Sequence, residues 1–423
     1  MAAVRILIVG AGGRGSTYAG YAKAYPGEAV VVGVAEPREF YRQRLAAEHA
    51  IPAGQVFADW REAAARPRFA DAVVVATQDA MHTEPAEAFA GLGYHLLLEK
   101  PMAPQPEDCW RIHKAVTKAG ILFAVCHVMR YTAYSRQLKA LLDQGAVGEV
   151  VCIQHLEPVG YWHQAHSFVR GNWRNSVESS PMLLAKSCHD IDWLRYLMGV
   201  PCQQISSFGS LKHFRSEEKP AGAAQRCLDC DCEPTCPYSA KRFYLGRARE
   251  GRWGWPVDVL TPERSEAAVL DALRRGPYGR CVYACDNDVV DNQVVNMLFA
   301  KGRTASFTMT AFNQAANRRT RIFGTHGELY GDGSTIEHFD FLSDQTKTID
   351  TRAPDGSIAG GHGGGDYGLM QAFVAAVARQ DASPILSGPE ETLETHLMVF
   401  AAEEARAANT VVDVGAFKAR YAG

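Results

Sequence analysis

The sequence predicts an α/β protein in which a doubly wound parallel sheet is followed by a second domain built on a mostly antiparallel sheet. Apolar runs early in the chain are continuous, as in parallel strands covered on both faces, with helical segments between them, at residues 4–9, 29–34, 72–76, 95–98 and 121–125. Later segments alternate apolar and polar residues, as antiparallel strands do, at residues 289–300, 304–312, 320–324 and 335–342. Because 423 residues exceed one ordinary core, we expect two domains, at residues 1–128 and 129–423.

The first apolar run leads directly into three spaced glycines, Gly10, Gly12 and Gly15. The first permits a sharp strand-to-helix turn, the second lets the backbone approach a pyrophosphate, and the third lets the next helix pack closely on the strand. A second apolar run ends at Glu36, 21 residues after Gly15, which is a suitable distance for a carboxylate that binds an adenosine ribose. The order and spacing of these features predict a dinucleotide-binding Rossmann domain.

The expected cofactor is NAD. A carboxylate at Glu36 repels the 2′-phosphate of NADP, although Arg14 and Arg38 lie close in sequence and would neutralise such a phosphate, so NADP is the less favoured alternative. Ligands of a doubly wound sheet bind beyond the carboxyl ends of its strands. We therefore expect the cofactor to contact Gly10, Gly12, Gly13, Arg14, Gly15, Glu36, Arg38, Thr77, Gln78, His82, Glu99 and Lys100.

Glycine and proline residues indicate where the helices begin and end. Gly93 and Gly120 each follow a helical pattern in the first domain. In the second domain, helices are predicted at residues 130–145, 181–198, 263–275 and 387–409, the last one starting with a capping-box pattern.

Composition excludes several classes of partner. The formal net charge is −3 and no basic block is present, so nucleic acid is not an expected partner. No apolar run approaches the length of a membrane span. We expect a cytoplasmic globular protein that binds a small molecule.

Three motifs together resemble the glucose-fructose oxidoreductase, inositol dehydrogenase and rhizopine catabolism protein family (Gfo/Idh/MocA). They are the glycine turn at 10–15, Glu99-Lys100-Pro101 after the fourth apolar run, and the Lys186-Ser187-Cys188-His189-Asp190-Ile191-Asp192 segment. The resemblance implies a Rossmann domain followed by an α/β domain with a large open sheet, which mediates self-association in that family. It also implies chemistry at secondary hydroxyls of sugars or cyclitols, with Lys100 and His189 lining the reaction centre.

One departure from the family pattern concerns the helix that carries His189. Many family dehydrogenases have an aspartate shortly before this histidine, whereas this chain offers Lys186, so the role of that aspartate does not transfer. Helical spacing puts Lys186, His189 and Trp193 on one face, which we expect to form an edge of the active site.

An aromatic-rich stretch at residues 161–174 has the composition of a sugar pocket, because aromatic rings suit the C–H faces of a sugar, and Arg, Asn and His donors suit its hydroxyls. A packed surface loop is the alternative. The glycine-rich stretch at 360–367 permits His362 to enter the cleft, with a simple flexible loop as its alternative. The expected substrate-binding residues are Arg130, Tyr131, Trp162, His163, Arg170, Trp173, His189 and His362.

Six of the eleven cysteines lie between Cys227 and Cys285, inside an insertion at about residues 212–288. A Cys-x2-Cys pair followed by a third cysteine six residues later suits a tetrahedral metal ion, and so short a turn has little apolar content to hold it otherwise. We expect a structural zinc held by Cys227, Cys230, Cys236 and either Cys281 or Cys285; free thiols or a disulfide are the alternatives.

The expected reaction is hydride transfer between a ring carbon of a sugar-like substrate and the nicotinamide. His189 would act as the general base, with Lys100 and Lys186 as positive neighbours, and the roles of Lys100 and His189 are interchangeable at this level. An NAD-dependent glycosidase that oxidises its substrate transiently, eliminates, hydrates and reduces again is the alternative. A third hypothesis is a non-catalytic sensor that binds the cofactor, and the presence of Lys100 and His189 argues against it.

Overall fold

A computed structural model describes residues 2–352 and 362–421 of the chain. Within these residues, six parallel strands form the first sheet in the order β3-β2-β1-β4-β5-β6. The strands are β1 (Val4–Val9), β2 (Ala29–Ala35), β3 (Val56–Phe57), β4 (Ala72–Val75), β5 (His95–Leu98) and β6 (Phe123–Val125). Their continuous apolar runs are buried because helices cover both faces, as expected of a parallel sheet.

The helices around this sheet are α1 (Gly13–Ala24), α2 (Glu39–Glu48), α3 (Trp60–Ala64), α4 (Thr83–Gly91) and α5 (Pro106–Ala119). A proline and a glycine explain where α5 begins and ends. Pro106 occupies its first turn, where no N–H partner is needed, and Gly120 ends it in the left-handed region with a φ of 63°.

The second sheet has nine strands in the described part of the chain, in the order β14-β13-β12-β11-β7-β10-β9-β8-β15. The pairing is antiparallel throughout except between β10 and β7. The strands are β7 (Val150–Pro158), β8 (Cys202–Ser210), β9 (Asn292–Phe299), β10 (Thr304–Thr310), β11 (Arg319–Gly324), β12 (Gly327–Gly331), β13 (Thr335–Asp340), β14 (Gln345–Asp350) and β15 (Val411–Asp413). The predicted fold class, a Rossmann sheet plus a mostly antiparallel sheet, is confirmed.

The remaining helices are α6 (Ala133–Asp143), α7 (Tyr161–His163), α8 (Met182–Ala185), α9 (Cys188–Met198), α10 (Gly246–Arg249), α11 (Glu266–Arg275), α12 (Gly365–Arg379), α13 (Pro389–Ala408) and α14 (Val414–Tyr421). The prediction of one helix over 181–198 is wrong, because the helix breaks at Lys186 and Ser187. Trp193 is also not at a cleft edge: its ring is buried, and its Nε1 donates a hydrogen bond to Ser135 Oγ over 2.8 Å.

Helix α12 joins the core of the first sheet although it lies late in the sequence. Its buried Leu369, Phe373 and Val377 pack in the same cluster as Ile6 and Val34. The domain boundary at residues 128 and 129 stays a prediction, but this packing shows that the chain returns to the nucleotide-binding side after the second sheet.

The cysteine-bearing insertion has a small apolar core of its own. Tyr244, Leu245 and Val257, from its first part, pack against Val269 and Leu273 of α11. This cluster lies mostly outside the short cysteine turn itself, from which only Cys227 is a buried member. In the described residues, no helix is long and apolar enough to cross a membrane.

Candidate active site

The glycine turn between β1 and α1 has the geometry of a phosphate cradle. A Cβ on Gly10 would lie 2.5 Å from the carbonyl oxygen of Ala76, and one on Gly15 would lie 1.8 Å from the carbonyl oxygen of Gly10, so neither position accepts a side chain. Gly13 is different, because a Cβ there would meet nothing within 4 Å. The turn is therefore closed on its protein side and open at the N-terminus of α1, where helix amides favour an anion.

Glu36 lies at the end of β2 and reaches back to this turn. Its Oε2 accepts a hydrogen bond of 2.8 Å from Ala11 N, and its Oε1 accepts one of 2.7 Å from Arg38 Nε. Burial alone would raise the pKa of Glu36, but the hydrogen bonds from Arg38 and Ala11 lower it, so the group is a carboxylate. Glu36 and Arg38 thus stand together beside the glycine turn.

The predicted residues after β4 form the edge of the same cleft. Gln78 is exposed and Thr77 partly buried, whereas His82 is fully buried. The two ring nitrogens of His82 lie 2.8 Å from the Pro101 carbonyl and 3.3 Å from the Thr77 carbonyl. His82 therefore links the end of β4 to the turn after β5 inside the protein, whereas Gln78 and Thr77 are accessible to solvent.

A buried ionic cluster lies directly beneath the glycine turn. Glu99 Oε1 accepts hydrogen bonds from Arg14 Nε at 2.5 Å and from Tyr18 Oη at 2.7 Å. Arg14 Nη2 also pairs with Asp366 Oδ1 of α12 at 2.6 Å. The cluster joins α1, β5 and α12, so it fixes the cofactor turn relative to the helix that follows His362.

Lys100 follows Glu99 at the carboxyl end of β5. Its Nζ donates a hydrogen bond of 2.6 Å to the carbonyl oxygen of Ala185, the last residue of α8. This contact places the amine at the break between α8 and α9, immediately before the helix that carries His189. The structure thereby brings Lys100 and His189, far apart in sequence, into one region.

His189 is buried and stands among other titratable groups. Its ring centroid lies 5.8 Å from that of His127 and 6.1 Å from that of His362. Burial, followed by the charge of Lys100 and the neighbouring histidines, holds the pKa of His189 well below its usual value. Its Nδ1 has no hydrogen-bond partner among the described residues. The imidazole is therefore neutral and retains proton-accepting capacity.

Lys186 belongs to a buried network behind His189. Its Nζ pairs with Glu157 Oε1 at 3.0 Å, and Arg318 Nε pairs with Glu157 Oε2 at 2.9 Å. Arg318 also pairs with Asp190, which in turn lies 3.0 Å from His155 Nε2. Burial alone would raise the pKa of Asp190, but the charge of Arg318 and the hydrogen bond from His155 lower it. The charge of Lys186 is thus balanced within the protein.

The aromatic loop is divided between two locations. Burial and then the charges of Lys186, His166 and Lys100 hold the pKa of His163 well below its usual value. Trp173 Nε1 donates a 3.2 Å hydrogen bond to Asp79 of the first domain, so it closes one side of the cleft.

Two other loop residues point towards the insertion. Trp162 stacks on Phe243 with ring centroids 5.2 Å apart. Arg170 donates to the carbonyls of Arg280 and Tyr238, both at 2.8 Å. The loop therefore connects the reaction centre with the cysteine-bearing insertion.

Arg130 and Tyr131 support the site from within. Arg130 is buried and binds Asp192 of α9 through two hydrogen bonds of 2.7 Å. The Tyr131 hydroxyl lies 2.8 Å from Ser387 Oγ and accepts a hydrogen bond from Leu386 N. Their polar atoms are engaged inside the protein, so contact with a substrate would require these bonds to change.

His362 lies at the first described residue after the gap and faces the site. It has a φ of 53°, its Nδ1 lies 3.2 Å from the Asp366 carboxylate, and its side chain is 43% exposed. The preceding glycines at 360 and 361 lie outside the described residues. His362 thus joins the rim next to His189.

The predicted zinc site receives no support from the structure. Over residues 2–352 and 362–421, no group of three or more His, Cys, Asp or Glu side chains is arranged to hold a metal ion. The cysteines line a small cavity of about 170 Å³ instead, with contributions from Cys227, Cys230, Cys232, Cys236 and Cys281. Cys230 Sγ accepts a hydrogen bond from Ala224 N, and all eleven thiols are free.

Sequence reasoning missed Glu157, Asp190, Arg318 and Asp79 as parts of the site. Asp190 directly follows His189 in the segment at 186–192 that carries the family resemblance, and this position was the signal that could have identified it. Arg318 lies in a segment without periodic pattern, just before β11, and only the sheet brings it to Glu157.

Comparisons with known proteins agree with this geometry. A model of an oxidoreductase family with an NAD-binding Rossmann fold, named GFO_IDH_MocA, matches residues 4–127. A model of the family's C-terminal α/β domain matches residues 139–414. The putative oxidoreductase YteT of Bacillus subtilis is 22% identical over 347 residues, which cover 76% of each chain.

Two further relatives match over about a third of their length. The levoglucosan dehydrogenase of Pseudarthrobacter phenanthrenivorans is 28% identical over 33% of this chain and 36% of its own. The 2,7-anhydro-N-acetylneuraminate hydratase of Escherichia coli is 28% identical over 34% of this chain and 37% of its own. The solved structure of a levoglucosan dehydrogenase with NADH and L-sorbose superimposes with a TM-score of 0.70 at 19% identity, covering 98% of this chain and 99% of the other, which shows a shared fold.

Proposed function

The chain belongs to the Gfo/Idh/MocA oxidoreductase family, and from that premise we propose that it transfers a hydride between NAD and a secondary hydroxyl of a sugar, sugar derivative or cyclitol. One observation carries the proposal: the amine of Lys100, at the carboxyl end of β5, donates a hydrogen bond of 2.6 Å to the carbonyl of Ala185, immediately before the helix that contains the buried His189. The sugar-processing relatives support the substrate class.

The residues around the glycine turn fit a dinucleotide. The open space at Gly13 and the N-terminus of α1 suit a pyrophosphate, and Glu36 stands where a ribose hydroxyl would bind. A carboxylate there favours NAD over NADP. When bound, the nicotinamide supplies the hydride acceptor, which the side chains of this protein lack.

His189 and Lys100 are the two side chains that act on the substrate hydroxyl group. His189 takes the proton of the substrate hydroxyl as the carbon is oxidised, and returns it in the reverse direction. The Lys100 ammonium group donates a hydrogen bond to the same oxygen and stabilises its developing negative charge. Of the two residues, His189 is the better candidate for the general base, because burial and nearby charges keep its imidazole neutral. Lys186, in its ion pair with Glu157, contributes to the electrostatic field around His189.

Replacement of His189 tests this assignment. His189→Ala should lower kcat by about a hundredfold or more while the dissociation constant of NAD changes little, since general-base catalysis is lost and the cofactor cradle is untouched. The matched control is His326→Ala, which removes an exposed histidine at the end of β11. Turnover of His189→Ala at the wild-type rate on a panel of sugars and cyclitols would remove His189 from the mechanism.

A redox-neutral glycosidase is the second candidate, because two imidazoles with lowered pKa values, His163 and His189, surround Lys100 and would serve an elimination and hydration sequence. A hydratase among the relatives is in keeping with such chemistry. Incubation with aryl glycosides separates the two functions: stoichiometric NADH formation supports the dehydrogenase, whereas aglycone release without net NADH supports the glycosidase.

The open face of the second sheet is proposed as a self-association surface. It exposes four apolar side chains, Val151, Phe208, Val294 and Val411, of which Phe208 is 60% exposed. Apolar patches of this kind on a sheet face favour burial against a second copy.

Zinc at the cysteine cavity stays a prediction. Five cysteines border one cavity, but the described residues do not present a preformed ligand set. Elemental analysis of protein purified without chelator distinguishes a zinc site from free thiols. About one zinc ion per chain supports the zinc site, and less than about 0.1 zinc ion per chain supports free thiols.

A further inference from the structure

A second cavity, of about 570 Å³, lies between the aromatic loop and the insertion. Its walls carry several aromatic rings, those of Tyr161, Trp162, Tyr238 and Phe243. Its charged lining is strongly unbalanced, with four arginines and one glutamate: Arg170, Arg242, Arg247, Arg252 and Glu250. The cavity is thus aromatic and positively charged.

Arg247 differs from the other three arginines in its contacts with the rest of the described protein. Arg170 donates to two backbone carbonyls, Arg242 to the carbonyl of Glu233, and Arg252 pairs with Glu250. The Arg247 guanidinium lies instead over two rings, 4.5 Å from the centroid of Phe243 and 5.1 Å from that of Trp162.

Within the described residues, the side chain of Arg247 makes no hydrogen bond or ion pair. Burial, together with the charge of Arg252, lowers the pKa of Arg247. A partly desolvated cation of this kind gains most from an anionic ligand, because a guanidinium binds a carboxylate or sulfate through two parallel hydrogen bonds.

Aromatic contacts link one wall of the cavity to His163. The Trp162 ring stacks against His163 with centroids 5.5 Å apart, and Trp255 lies 5.4 Å from Trp162 and 5.2 Å from His163. The Arg247 guanidinium, the Trp162 ring and the His163 ring thus form one row of contacts, with the guanidinium 5.1 Å from the Trp162 centroid. The charges of Lys186 and Lys100 contribute, after burial, to lowering the pKa of His163.

We infer that this cavity is a subsite for a negatively charged sugar ring, which lies against the aromatic wall at Trp162 and places its anionic group on Arg247. The inference rests on the proposed function and narrows its substrate class to glycosides or oligosaccharides that carry an acidic sugar. A sugar ring suits the site because its C–H face packs on aromatic surface while its acid group binds the guanidinium.

The test uses the full-length protein saturated with NAD and two matched probes, 4-nitrophenyl β-D-glucuronide and 4-nitrophenyl β-D-glucoside. The glucuronide has a carboxylate where the glucoside has a hydroxymethyl group. Calorimetric titration should give a dissociation constant about tenfold or more lower for the glucuronide. Arg247→Met should remove this preference, and Arg247→Lys should retain part of it. Arg249→Met, which removes an exposed arginine of the same helix that pairs with Glu266, should leave the preference intact.

The inference is overturned if neither the glucuronide nor the 6-sulfate ester of the glucoside binds the wild-type protein more tightly than the glucoside does, or if Arg249→Met loses the preference as fully as Arg247→Met does. A third probe, the 6-sulfate ester of the glucoside, separates the sources of negative charge: tighter binding of either anionic probe than of the glucoside supports the subsite. Failure of the proposed function is recognised separately, because it appears as absent NAD binding or as unchanged turnover in His189→Ala, neither of which the sugar titration measures.

Discussion

Glu99→Gln removes one charge from the ionic cluster beneath the glycine turn and keeps the shape of the side chain. Glu99 is 5% exposed and accepts three hydrogen bonds, from Arg14 Nε at 2.5 Å, Tyr18 Oη at 2.7 Å and Lys100 N at 2.7 Å. The amide of a glutamine would turn a donor towards at least one of these donors. The substitution therefore leaves a buried donor without a partner and Arg14 with one carboxylate fewer.

The expected loss follows from these contacts. Breaking a buried ion pair costs about 3–5 kcal/mol when the remaining charge has no other partner. Arg14 retains Asp366 at 2.6 Å, so we expect the free energy of unfolding to fall by about 2–3 kcal/mol at neutral pH.

The pH dependence has a definite sign. Burial alone would raise the pKa of Glu99, but the charges of Arg14 and Lys100 and the hydrogen bonds lower it. A lowered folded-state pKa means that the stabilisation is fully present above the unfolded pKa of about 4.3 and is lost as the pH falls through the folded value. The difference between wild type and Glu99→Gln should therefore be constant near pH 7 and shrink only in acid.

Urea unfolding followed by tryptophan fluorescence measures the effect. The matched control is Glu84→Gln, which breaks an exposed pair with Arg61 and should cost about 0–1 kcal/mol. If Glu99→Gln proved no more destabilising than Glu84→Gln, the cluster would not stabilise the fold, and the reasoning from burial would be refuted.

Glu36→Ala should lower the preference for NAD over NADP, measured as the ratio of kcat/KM, by about tenfold or more, because Arg38 remains to bind a 2′-phosphate; an unchanged ratio would show that Glu36 does not select the cofactor. Since the pKa of His189 lies well below its usual value, kcat/KM for oxidation should stay level as the pH falls from about 8 to 6, and a loss centred near pH 6.5 would contradict the assignment. Phe208→Glu should give a smaller assembly by light scattering than wild type if the open sheet face holds copies together, whereas an unchanged mass would exclude this face.

Local sequence determined the nucleotide-binding half and the two central side chains of the site. The apolar run of β1, the three glycines after it and the acid at the end of β2 follow one another at fixed distances in the sequence, so spacing alone predicts them. Lys100 was identified as a strand-end residue and His189 as a helix residue for the same reason.

The tertiary structure decided which partners these residues have. Arg14 meets Asp366 across 352 residues, and Glu157 meets Lys186 and Arg318 from three separate segments. It also turned Trp193 into the core and gave the insertion an apolar cluster that its cysteine spacing did not indicate. Partners of this kind depend on how helices and sheets pack, and a short window of sequence contains no information about residues that approach from elsewhere in the chain.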